Sequence, residues 1–124
     1  MSHFDQMRKG TTTLVILKLF ADLDRPLHGY GIIQHLEKRS EGYFTFNEGL
    51  IYPTLHQLEK RGLLESQWEG EPGTRRRKMY TITGKGRAQL EDQLADWDAF
   101  RAGMRLLLKR ENTKSLDFGS TPQS

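Results

Sequence analysis

Residues 70–83 read GEPGTRRRKMYTIT. Gly70, Pro72 and Gly73 punctuate a turn, and Met79–Thr83 carry strong strand propensity. Between them lies an unbroken basic run, Arg75, Arg76, Arg77 and Lys78. Just upstream, LLESQW at 63–68 alternates as a strand does, so the two segments predict a β-hairpin with a cationic tip. In an extended backbone Arg75 and Arg77 point one way and Arg76 and Lys78 the other.

Three helices are expected before the hairpin. In TLVILKLFADL (13–23), capped by Thr11 or Thr12, Leu14, Leu17 and Ala21 share a face with Ile16 and Phe20 beside it, an arc wide enough for burial on two sides. DRPLHG (24–29) reads as a turn. YGIIQHLEKRS (30–40) places Ile32, Ile33 and Leu36 inward, and EGYFTF (41–46) reads as a loop with buried aromatics. The third helix is LIYPTLHQLEKRG (50–62), with Asn47 as cap, Ile51, Leu55 and Leu58 as buried stripe and Gly62 as stop. Pro53 cannot donate inside a helix, so a start near Glu48 or Gly49 is expected, with Pro53 in the first turn.

After the hairpin, Thr83 or Gly84 opens a long fourth helix, KGRAQLEDQLADWDAFRAGMRLLLKR (85–110). Leu90, Leu94, Trp97, Met104 and Leu108 fall at alternating four- and three-residue steps, with Arg101 as a polar gap and Phe100 and Leu107 widening the stripe. A helix of about 26 residues is about 39 Å long, more than a small domain covers, and a second copy of the chain supplies the missing surface. The expected organisation is an extension at 1–10, a DNA-binding domain at 11–83, a dimerisation helix at 84–110 and a disordered tail at 111–124. Three helices, a hairpin and a long helix make a mainly α winged helix-turn-helix, with the third helix as reader and the hairpin as wing.

Composition narrows the function. The chain has 124 residues, a net charge of +3 and no cysteine, which excludes disulfides and thiolate chemistry. Mean hydropathy is −0.70, low for a compact monomer, so a tail or a partner-completed core is expected. No apolar run reaches the roughly 18–20 residues of a membrane span, and MSHFDQMRKG lacks the apolar stretch of a signal peptide, so the cytoplasm is the expected compartment. The four histidines, His3, His28, His35 and His56, show no metal-ligand spacing, and no metal or cofactor is expected. No nucleophile–base pairing or phosphate loop is present, which argues against an enzyme.

LHGYGIIQHLEKRS, NEGLIYPTLHQLEKRGLLES and RRRKMYTITGKG, in this order, resemble the PadR family of transcriptional regulators. The resemblance runs from about Thr11 to Gly86. It rests on Gly29 and Tyr30, on Gly49, Tyr52, Pro53 and Leu55, and on Lys78, Tyr80, Ile82 and Thr83. It implies a dimeric repressor joined largely through C-terminal helices, regulated in some members by a small effector. The single C-terminal helix resembles the short branch of the family.

With this resemblance, the third-helix arc opposite the buried stripe becomes the expected DNA face. Gly49 permits close approach to the groove, Gln57 suits adenine, and Leu50 or Thr54 suits a thymine methyl. Tyr52, His56 and Lys60 suit phosphate oxygens, and Asn47 and Pro53 complete the set. The arc has no arginine, so shape is expected to carry part of the recognition. On the wing, Thr74, Arg75, Arg76 and Lys78 are the candidates. The expected partners are an inverted-repeat DNA duplex and a second copy of the chain, with no membrane; paired Trp97 residues either fill the dimer core, the reading ranked slightly ahead, or part to hold a planar aromatic effector. The rival reading is a winged protein-interaction module without DNA.

Overall fold

The structure, a computed structural model, describes residues 3–111, with side chains described from Gly10 onward. Of the expected tail at 111–124, Glu111 is described and the rest lies outside the described residues. Two compact units divide the chain, one through Leu94 and one from Ala95. The elements of the first are α1 (His3–Leu23), β1 (Leu27–His28), α2 (Gly29–Arg39), α3 (Glu48–Lys60), β2 (Leu64–Glu69) and β3 (Arg77–Ile82). The last helix, α4 (Gly84–Leu108), begins in the first unit and supplies the described helix of the second.

The helix α1 starts at His3, well before Thr11. Thr12 is buried within it and caps nothing at its start. Ile16, Leu17, Leu19 and Phe20 of α1 are all buried, which uses the wide apolar arc. They meet Ile32 and Leu36 of α2 and Ile51, Leu55 and Leu58 of α3 in one core.

Both ends of α3 follow local rules. The Asn47 side chain accepts the Leu50 N–H at 2.9 Å, satisfying an N–H that the first turn leaves open. At the other end Gly62 adopts φ +78°. Its N–H donates to the Glu59 carbonyl and the Leu63 N–H to the Leu58 carbonyl, the paired closure that favours glycine at this position. Pro53 falls in the second turn, one turn later than expected, and removes the N–H that would close on the Gly49 carbonyl.

The sheet order is β1–β3–β2, antiparallel throughout. The hairpin appears where it was expected, with Trp68 opposite Lys78 and Glu69 opposite Arg77. The expected turn at 24–29 also contains β1, which pairs Leu27 with Tyr80 and His28 with Met79. A two-residue strand has no periodicity to read, so only its partner reveals it.

The loop from Ser40 to Asn47 departs from expectation. Tyr43 and Phe44 are 83% and 54% exposed, and only Phe46 packs against the core. Glu41 and Gly42 both take left-handed backbone, and the Phe44 N–H donates to Ser40 Oγ. The loop therefore curls on itself and turns its first two aromatics to water.

Thr83 joins the end of the wing to the start of α4. Its Oγ1 accepts the Gly86 N–H at 2.9 Å and donates to the Gly62 and Leu63 carbonyls at 2.7 and 3.1 Å. Gly86 is required by close approach: a Cβ there would lie 2.2 Å from the Leu63 oxygen.

Candidate nucleic-acid interface

The exposed arc of α3 is the expected one. Gly49, Tyr52, Pro53, His56, Gln57 and Lys60 face solvent, while Leu50 and Thr54 are half-buried. Thr54 donates its hydroxyl to the Leu50 carbonyl at 2.7 Å, which leaves its methyl as the freer group. Asn47 is exposed, but its side-chain oxygen is engaged in capping α3.

Tyr52 is only partly available. A Cβ on Gly29 would lie 2.3 Å from Tyr52 Cε1 and 2.8 Å from its hydroxyl oxygen, so the ring lies flush on the start of α2. Burial there, with Glu48 and Tyr80 adding to it, pushes the Tyr52 hydroxyl pKa up and keeps it a donor. Two motifs that looked separate in the sequence, the glycine opening α2 and the tyrosine of α3, are two sides of one contact.

The wing stands against α3 through Glu59. Glu59 Oε2 accepts the Ser66 hydroxyl at 2.5 Å, and Oε1 faces the Lys78 ammonium at 3.0 Å. The Ser66 hydrogen bond, then the Lys78 contact, hold the Glu59 carboxyl below its ordinary range, and Glu59 holds the Lys78 ammonium above its own. Lys78 was expected to contact DNA, but it is occupied inside the protein, with its ammonium also 5.4 Å from the Tyr80 ring centre.

Thr74, Arg75 and Arg76 are exposed at the tip, with Thr74 Oγ1 donating to the Glu71 carbonyl. Among the described residues none of Arg75, Arg76 and Arg77 is in an ion pair, so three guanidinium groups remain for phosphates. Arg76 lies over the Trp68 ring, 5.8 Å from its centre, and Trp68 is 58% exposed. Sequence reasoning passed over both Trp68 and Glu59. The hairpin register held the signal for Trp68, since alternation puts it on the same face as Arg76 and Lys78.

The expected seam on α4 divides. Leu90 is 3% exposed and belongs to the core of the first unit, with Leu94 packed against that core, so the domain itself uses both. In the second unit Trp97, Phe100, Leu107 and Leu108 are exposed and Met104 is half-buried. The Trp97 and Phe100 rings lie 5.9 Å apart.

His28 and His35 both titrate below the usual histidine range, chiefly through burial, with Arg77 adding to the effect at His28 and Arg25 at His35. Among the described residues no group of three or more His, Cys, Asp or Glu could hold a metal, and no helix is long and apolar enough to cross a membrane.

A family model of PadR-like transcriptional regulators matches residues 16–92, the span that holds the end of α1, α2, α3, the wing and the start of α4. The chain belongs to the PadR-like family of transcriptional regulators. A transcriptional regulator of Mycobacterium tuberculosis is 40% identical over 73 residues, covering 58% of this chain and 64% of that one. A PadR-like regulator of Bacillus cereus superposes with a TM-score of 0.69 at 31% identity, covering 86% of this chain and 99% of that one. A regulator from Clostridium thermocellum reaches a TM-score of 0.73 at 24% identity, covering 85% and 99%, a likeness of fold alone. The named relatives of this PadR-like chain are transcriptional regulators rather than enzymes, and the fold is the winged helix expected from the hairpin.

Proposed function

We propose that this PadR-like chain is a cytoplasmic homodimeric repressor. The α3 helices of two copies enter successive major grooves of an inverted repeat, about 34–36 Å apart. Gln57 reads a base edge, Leu50 and the Thr54 methyl line the groove, and Gly49 and Pro53 let the backbone come close. His56, Lys60 and the Tyr52 hydroxyl hold phosphates, as do Arg75 and Arg76 from the wing. One observation carries this reading: the Glu59 contacts tie the hairpin that bears the exposed arginines to the helix that bears the exposed arc.

Trp97, Phe100, Met104, Leu107 and Leu108 supply the contact between copies. Four of these five large apolar side chains stand in water on a single helix, a surface that a second copy covers. A planar aromatic effector between the two Trp97 residues releases the DNA.

Gel shifts on the DNA upstream of the gene at two salt concentrations, with sedimentation of the same sample, test the reading. A dimer that shifts this DNA more tightly than random duplex, and less so at high salt, supports it. A folded protein that shifts no duplex at low salt overturns it in favour of a protein-interaction module. A monomer in sedimentation removes the role given to α4.

A further inference from the structure

Glu59 is an acidic residue on the helix assigned to DNA, between His56 and Lys60. Its two oxygens have different partners: Oε2 is anchored to Ser66 of β2, which leaves Oε1 aimed at Lys78 of β3. Side chains of Glu59 and Lys78 are 30% and 32% exposed, so the pair sits at the edge of the surface. Arg76 stands one residue before β3 with its guanidinium over the ring of Trp68, the residue opposite Lys78, and two residues of extended chain span about 6.8 Å. A lysine stem spans that distance, so an unpaired Lys78 would reach the phosphate neighbourhood of Arg76.

We infer that Glu59 is a positioning residue that withholds the Lys78 ammonium from phosphate and so limits the sequence-independent part of DNA affinity. The inference rests on the DNA-binding reading above. Every duplex offers phosphates, so each additional cation that reaches them tightens binding to all sequences alike and adds about 0.9 to the salt slope. Pairing Lys78 inside the protein keeps it as a link between wing and reader while removing it from the sequence-independent part of the affinity. Glu59 is thus a positioning residue that acts through Lys78. A clasp with no such role would weaken random and specific binding together when broken.

The test uses Glu59→Gln, Lys78→Gln and the double variant in the full chain, titrated with random duplex and with the upstream DNA over a range of salt. Glu59→Gln retains a carbonyl acceptor for Ser66 and loses the charge. It should steepen the random-duplex slope by about 0.9 and tighten that binding up to about eight-fold at 0.1 M salt, with the upstream DNA tightened by the same factor. Lys78→Gln alone should leave the random-duplex slope near wild type, and the double variant should return to it. A slope that falls by about one unit in Lys78→Gln overturns the inference, because Lys78 then already meets phosphate. That arm decides even if Glu59→Gln folds poorly. An equal effect of Glu59→Gln with and without Lys78 also overturns it, since repulsion by the carboxylate itself would explain the gain. Wild-type protein that binds no duplex sinks the DNA reading itself, whereas unaltered binding by Glu59→Gln sinks only the inference.

Discussion

Gly86→Ala is a change that helix propensity alone would favour, and the structure reverses its sign. Alanine at an interior helical position gains up to about 1 kcal/mol over glycine. A Cβ on Gly86, however, would lie 2.2 Å from the Leu63 carbonyl oxygen and 2.8 Å from Ile82 Cγ1. Both are well short of the ordinary separation of about 3.5 Å. The Leu63 oxygen cannot easily retreat, because it accepts both the N–H and the hydroxyl of Thr83. Overpacking costs about 1–3 kcal/mol, and a 2.2 Å approach to a backbone oxygen falls in its upper part, about 2–3 kcal/mol, so a net loss of about 1–2 kcal/mol remains after the propensity gain. At roughly 4 °C per kcal/mol for a chain of this size, the melting temperature should fall by about 4–8 °C. The control is Gly84→Ala in the same turn, where nothing lies within 4 Å of the added Cβ. Its stability should change by no more than about 0.5 kcal/mol. Thermal unfolding followed by circular dichroism measures both. A melting temperature for Gly86→Ala at or above wild type would refute the reasoning, as would an equal loss in Gly84→Ala.

Asn47→Ala removes the side-chain cap of α3 and should cost about 1 kcal/mol in denaturant unfolding, whereas Asn47→Asp should cost far less. Gln57→Ala should lose about 1–3 kcal/mol on the cognate site and relax discrimination at one position. Equal loss on random duplex would show that Gln57 reads no base. Replacing Arg75 and Arg76 together by Ala should weaken all duplexes and lower the salt slope by up to about two units. An unchanged slope would take the wing tip off the DNA. In acid, Glu59 should contribute a stability term that follows its lowered pKa. Its partners Ser66 and Lys78 favour the charged form in the folded chain, so the contribution is complete above the ordinary glutamate value of 4.5 and is lost as pH falls through its lower folded value. Stability curves of wild type and Glu59→Gln should therefore converge below about pH 4.5, and a constant gap into acid would contradict the charge-based account.

The sequence by itself determined what depends on neighbours a few residues apart. The stripe of Ile51, Leu55 and Leu58 repeats at helical spacing, Asn47 caps an amide three residues on, and Gly62 ends α3 through bonds to its own last turn. Alternation in β2 and β3 likewise needs only one strand at a time, so the hairpin and the element order were legible. The PadR-like identity rested on the same local motifs.

Tertiary structure decided which apolar or charged group meets which. Periodicity marked Leu90, Leu94 and Trp97 as one stripe, but only packing separates Leu90 in the core from Trp97 in water. The aromatic content of 41–46 suggested burial, and the left-handed backbone at Glu41 and Gly42 turned Tyr43 and Phe44 outward. Lys78 looked like the continuation of a basic run until Glu59 stood opposite it. Gly29 owes its lack of a side chain to a tyrosine on another helix. Each of these is a property of a pair of residues far apart in the chain. A one-dimensional pattern can show that a side chain needs a partner, but the partner is chosen only when the backbone closes in three dimensions.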